Sequence, residues 1–125
     1  MNSKPEKIEA FSAYIGGGLG PCYYVDLLEQ NKIGYSTEFH LKDMEIIEVS
    51  DSTWDSFKNQ LTQIGANKWK SENYPDELIL DGTSWNFKFK TGVIDIDSKG
   101  SNSFPNRFDE YIEIMLVLLQ GRKFH

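Results

Sequence analysis

The groups of this chain with a reactive repertoire are one cysteine, two histidines and a surplus of carboxylates. Cys22 with His40 or His125 would supply a thiolate nucleophile and its base if the fold brought them together. Cys22, however, follows Pro21 and precedes an alternating run, so the pattern predicts a strand there. A strand lacks the helix N-terminus that lowers a thiol pKa. His125 is the last residue given, where chains fray. The reading is a buried structural thiol, and one cysteine with two distant histidines has no zinc-ligand spacing. No metal and no cofactor are expected.

Asp95-x-Asp97-x-Lys99-Gly100 has the opening rhythm of a calcium loop. Its fifth position is Lys99 and its twelfth is Asn106, where such a loop needs an oxygen ligand and a bidentate Glu. The two aspartates therefore read as outward strand residues facing Lys88, Lys90 and Asn86. The loop Gly16 to Gly20 invites a phosphate, yet it holds no lysine and leads through Pro21 into a strand instead of a helix. It reads as a flexible hairpin connection, with a rim closing over a partner as its functional alternative. The other carboxylates fall on predicted helix faces and loops, and no spacing selects the pair that glycoside chemistry requires. Trp69, in Lys68-Trp69-Lys70, either folds back over a helix edge or stands out as a binding anchor.

These residues must be positioned by a sheet whose hairpins are written in the letters. Asp81-Gly82 and Thr91-Gly92 separate alternating runs between Leu78 and Ile96. With two-residue loops, Leu78 faces Trp85, Phe87 faces Ile96 and Phe89 faces Ile94 on one side. On the other, Lys88 falls opposite Asp95 and Asn86 opposite Asp97. Upstream, Lys7 to Ile15 alternates, and Tyr23–Leu28 and Ile33–Phe39 form a second hairpin around Gln30-Asn31-Lys32. Met44 to Val49 adds a strand. Ser50 caps a helix carrying Trp54, Phe57, Leu61 and Ile64 on one stripe, with Gly65 as its stop. A final helix starts near Asn106, aligns Phe108, Tyr111, Ile112, Met115, Leu116 and Leu119, and ends at Gly121 before a basic tail. The expected architecture is one α+β domain over residues 1–125: two layers, a mostly antiparallel sheet, and two amphipathic helices on one face.

Trp54 with Phe57 and Leu61, Asp81-Gly82-Thr83-Ser84-Trp85, and Gly100-Ser101-Asn102-Ser103-Phe104-Pro105 together form a recognisable set. The chain resembles a group of small uncharacterised bacterial proteins with a tryptophan helix, an Asp-Gly-Thr-x-Trp strand start and a Gly-Ser-Asn-x-x-Pro loop. That resemblance implies a bacterial source and this fold. It carries over no activity and no catalytic residue.

A net charge of −6 without a Lys/Arg cluster argues against nucleic acid and against an anionic membrane surface. No apolar run is long enough to span a bilayer, and the polar stretch Met1 to Glu9 lacks a signal-peptide core. With a single cysteine, the expected compartment is the cytoplasm. Parity puts Tyr14, Tyr24, Asp26, Glu38, His40, Asn86, Lys88, Lys90, Asp95 and Asp97 on the sheet face away from the helices. Tyrosines among charges suit an interaction surface more than a catalytic pocket. The leading expectation is a non-enzymatic protein-binding module, of immunity or inhibitor type, with a basic protein as partner. Its candidate binding residues are Tyr14, Tyr24, His40, Trp69, Lys88, Asp95 and Asn102. The alternatives are a small-molecule-binding domain or enzyme with a site near the Gly100–Pro105 loop, and a homodimer through a sheet edge.

Overall fold

Alternation of apolar and polar residues becomes a sheet in the computed structural model, which describes residues 7–17, 21–37, 44–74 and 82–125. In chain order the elements are β1 (Ala10–Gly16), β2 (Tyr23–Glu29), β3 (Lys32–Thr37), β4 (Glu45–Glu48), α1 (Asp51–Gln63), β5 (Glu72–Asn73), β6 (Ser84–Lys90), β7 (Asp95–Ser101) and α2 (Phe108–Leu118). Among the described residues the strands form one sheet in the order β4-β3-β2-β1-β6-β7-β5. Every neighbouring pair is antiparallel except β5 with β7. The fold class is thus α+β with a mostly antiparallel sheet.

The centre of the sheet is a long-range pairing. β6 lies between β1 and β7, with Ile15 on one side of Trp85 and Gly100 on the other. This corrects the local meander expected around Asp81-Gly82, which placed Leu78 opposite Trp85; Leu78 to Asp81 lie outside the described residues. The β6–β7 register also differs from the two-residue loop. Phe87 pairs with Ser98, Phe89 with Ile96, Lys88 with Asp97 and Lys90 with Asp95. The connection is therefore four residues, Thr91 to Ile94. Its organiser is the Thr91 hydroxyl, which accepts from the amides of Val93 (3.2 Å) and Ile94 (2.9 Å), while the Thr91 amide donates to the Ile94 carbonyl at 2.7 Å. A type I′ turn would instead force the β-branched Thr91 to positive φ.

Helix α1 starts as its sequence dictates. The Ser50 hydroxyl accepts from the Thr53 amide at 3.1 Å, Asp51 lies in the first turn, and Gly65 takes the left-handed φ of 76° that stops it. Its Trp54, Phe57 and Leu61 are buried. In α2 the buried set is Phe108, Tyr111, Ile114, Met115 and Leu118, whereas Ile112 and Leu116 are only partly covered. The stripe is rotated because Ile114 and Leu118 turn toward α1, so this helix serves two neighbours.

Phe57 of α1 and Tyr111 of α2 both reach the ring of Phe87, at 6.5 and 4.7 Å between centroids. Phe11 adds edge contacts to Trp54, Phe57, Phe87 and Phe89. Rings from both helices therefore meet residues on one side of the β1–β6 ladder. Edge-to-face pairs of this kind add about 0.5–1.5 kcal/mol each beyond the area they bury. The C-terminal segment is not a loose basic tail. Phe124 is fully buried against Tyr111 and Tyr23, the Tyr35 hydroxyl donates to the Lys123 carbonyl at 2.5 Å, and Arg122 pairs with Glu45 at 2.6 Å.

Candidate functional site

On the other side of the same ladder, residues from the seven strands line up in transverse rows. One row runs Ile46, Gly34, Asp26, Ser12, Lys88, Asp97. The next runs Ser36, Tyr24, Tyr14, Asn86, Lys99, with Glu72 of β5 beyond it. Neighbours within a row are about 4.8 Å apart and successive same-face residues about 6.8 Å apart, so these rows make one continuous surface. Its two halves differ in character. Tyr14, Tyr24, Asp26 and Ser12 are half-buried, while Asn86, Lys88, Asp95 and Asp97 are exposed.

Tyr14 and Tyr24 lie directly opposite each other, with ring centroids 4.9 Å apart and planes tilted by 39°. The Tyr14 hydroxyl donates to Cys22 Sγ at 3.7 Å. Burial, reinforced by that contact, pushes the Tyr14 phenol up to about 12. Cys22 is a buried free thiol beside Gly16, where a Cβ would collide with its sulfur. A Cβ on Gly34 would meet the Met44 side chain, so the flexible thioether lies over Gly34, the cross-strand neighbour of Asp26. Burial raises the Asp26 carboxyl above its ordinary value. Lys88 faces Asp97 and Lys90 faces Asp95 across the ladder, without closing to an ion pair among the described residues.

Of the candidate binding residues, Tyr14, Tyr24, Lys88 and Asp95 are brought together on this surface. His40 lies outside the described residues, as do Glu38 and Gly18 to Gly20. Trp69 is elsewhere and takes the folded-back alternative, with its ring against Trp85 (6.2 Å), Phe108 (6.0 Å) and Tyr111 (5.5 Å). Asn102 adopts a left-handed φ of 55° and latches the end of the β6–β7 ladder. Its Oδ1 accepts from the Thr83 amide at 2.9 Å, and its own amide donates to the Thr83 carbonyl at 2.8 Å. Trp85 Nε1 donates to the Ser103 carbonyl at 2.9 Å, so Asn102 Oδ1 and the Ser103 carbonyl are both engaged with β6 and the residue before it.

A groove between the helices holds a cavity of about 190 Å³ over Phe57, Ile114 and Leu118, rimmed by Ser52, Ser56 and Gln60. Toward its far end Arg107 pairs with Glu110. That ion pair lowers the Glu110 carboxyl and raises the Arg107 guanidinium, so neither is poised for proton transfer near neutrality. Among the described residues, no group of three His, Cys, Asp or Glu side chains could hold a metal ion, and no helix is long and apolar enough to cross a membrane.

Sequence reasoning left two features of the outer surface unseen, the Tyr14–Cys22 contact and the seat of Met44 over Gly34. Cys22, Tyr24 and Asp26 share a parity, which was a usable signal for the first. The second depends on chain beyond the strands and left no periodic trace. No protein-family model matches this chain, and no curated protein is significantly similar to it.

Proposed function

We propose that this protein is a non-enzymatic module that binds another protein on the sheet face carrying Tyr14, Tyr24, Asp26, Lys88 and Asp95. The observation that supports this best is the opposed tyrosine pair set beside a stripe of alternating charge on one continuous sheet surface. Tyrosines supply large contact area at low conformational-entropy cost, and the charges fix register and discriminate among partners. The net charge of −6 favours a basic partner, as for an immunity-type or inhibitor protein that covers a cationic surface. The buried free thiol suits a reducing compartment, and we place the protein in the cytoplasm on that ground.

The test is affinity capture from lysate of the source organism with three baits: wild type, Tyr24→Ala/Lys88→Glu, and Val117→Glu. Val117 is an exposed residue of α2 and serves as the control. One protein recovered near stoichiometry with the wild type and Val117→Glu, and lost with the double variant, is the expected result. Equal recovery with the double variant would remove this face from consideration.

A further inference from the structure

Among the described residues of this surface, Asp26 has an unmet requirement. Its carboxylate is half-buried, yet no hydrogen bond or ion pair reaches it among the described residues. The register explains why. Its cross-strand neighbours are Ser12 on one side and Gly34 on the other, neither of which carries a charge. The nearest cation in its row is Lys88, two strands away at about 9–10 Å and opposite Asp97, and Lys32, diagonal to Asp26 on β3, pairs with Glu29. Both arginines of the chain are engaged elsewhere, Arg107 with Glu110 and Arg122 with Glu45.

We propose that Asp26 is the anchor for an arginine side chain of the partner protein, seated over Ser12 with the Tyr24 ring at one end and the Met44 thioether at one side. This rests on the outer face being the binding surface. Partial desolvation of an unpaired carboxylate is unfavourable, and an incoming guanidinium relieves it. The chemistry favours arginine over lysine. A planar guanidinium can hold a carboxylate through two hydrogen bonds while lying against an aromatic ring, and a lysine ammonium is a more strongly hydrated point charge. The small Ser12 on one flank leaves lateral room for the planar group, and on the other the Met44 thioether covers Gly34. The net charge of −6 attracts such a partner at long range but does not choose a position. The isolation of Asp26 chooses it.

The probe is argininamide, titrated at physiological salt while amide resonances are followed by NMR, with norvalinamide as the analogue lacking the guanidinium. The expected result is saturable shifts at Ser12, Tyr24 and Asp26 with argininamide only. The dissociation constant should rise at least ten-fold in Asp26→Asn and stay unchanged in Asp55→Asn, an exposed carboxylate of α1. Asn keeps the shape of the side chain, so superimposable spectra away from β2 will show that the variant is folded. Absence of saturable shifts in the wild type, or equal binding by Asp26→Asn, would overturn the proposal. The capture experiment separates the two ideas. Partner loss in Tyr24→Ala/Lys88→Glu without argininamide binding overturns the anchor and leaves the face. Argininamide binding with partner recovery unchanged in that variant overturns the face as the partner surface and leaves the cation site.

Discussion

Two tyrosine hydroxyls in this molecule should respond oppositely to the same substitution. Tyr111 is 1% exposed, and its ring lies among Trp69, Phe87, Phe108 and Phe124 at centroid distances of 4.7 to 6.2 Å. Its hydroxyl and the neighbouring Trp69 Nε1 are both buried without a hydrogen-bond partner among the described residues. Burying an unpartnered hydroxyl costs about 1–3 kcal/mol by the measure of protein substitutions. Tyr111→Phe removes that penalty and keeps the ring. It leaves a gap of one oxygen, roughly 15–20 Å³, worth about 0.5 kcal/mol at the usual cavity coefficient. The net expectation is a gain of about 1–2 kcal/mol, or a Tm raised by roughly 3–8 °C for a chain of this length.

Tyr35→Phe is the matched comparison, because that hydroxyl donates to the Lys123 carbonyl at 2.5 Å and holds the C-terminal segment against β3. Its loss should destabilise by about 1 kcal/mol and should loosen the seat of Phe124. Urea unfolding at pH 7, read from the midpoint at constant m, measures both. A loss of more than about 1 kcal/mol in Tyr111→Phe would refute the reasoning, since it would mean that the hydroxyl is satisfied in solution. A double-mutant cycle with Trp69→Phe would then show whether the indole is the partner.

Three further outcomes follow from the same geometry. Asp26→Asn should be more stable than wild type at pH 7, because a folded-state carboxyl pKa raised by burial favours the neutral form; that contribution is full below the unfolded value of about 4 and is lost as pH rises through the folded one, so the advantage of Asn should vanish in urea titrations at pH 3. Tyr14, raised to about 12, should draw stability down between pH 10 and 12, and Tyr14→Phe should flatten that alkaline loss in thermal scans across the window. Asn102→Ala should cost about 2 kcal/mol, from the lost bond to the Thr83 amide plus strain at φ 55°, while Asn102→Gly should recover roughly half of it in the same unfolding assay.

What was legible in the letters was what local chemistry decides. Ser50, Trp54 and Gly65 mark the cap, the buried stripe and the stop of α1 within a stretch of sixteen residues, and all three behave accordingly. The faces of β6 and β7 were legible as well, because parity survives an error of two. Lys88 faces Asp97 instead of Asp95, yet both aspartates remain on the outer side. The register was not legible, since the Thr91 hydroxyl organises a longer loop than Thr-Gly alone suggests. The placement of β1 beside β6 was hidden for a different reason. It joins Phe11 to Phe89 across most of the chain, and no turn residue announces such a pairing. Phe124 was missed similarly, as a lone aromatic after a helix stop has no period to betray its burial.

The distinction between parity and register decides how much a sequence can say about the outer surface. Parity alone puts Asp26 outward with Tyr24 as its neighbour along β2. Whether that carboxylate is paired depends on what lies across from it. In the β2–β3 hairpin, Glu29 pairs with Lys32, and that alignment carried straight along the strands would bring Tyr35, a core residue, opposite Asp26. The irregularity between Leu27 and Glu29 shifts the pairing by one and brings Gly34 there instead. A further slip of two in the same direction would have put Lys32 across from Asp26 and supplied the missing counter-charge, with every residue still on its proper face. A register change of two thus separates a surface whose charges are internally matched from one that leaves a half-buried carboxylate to be matched by a partner.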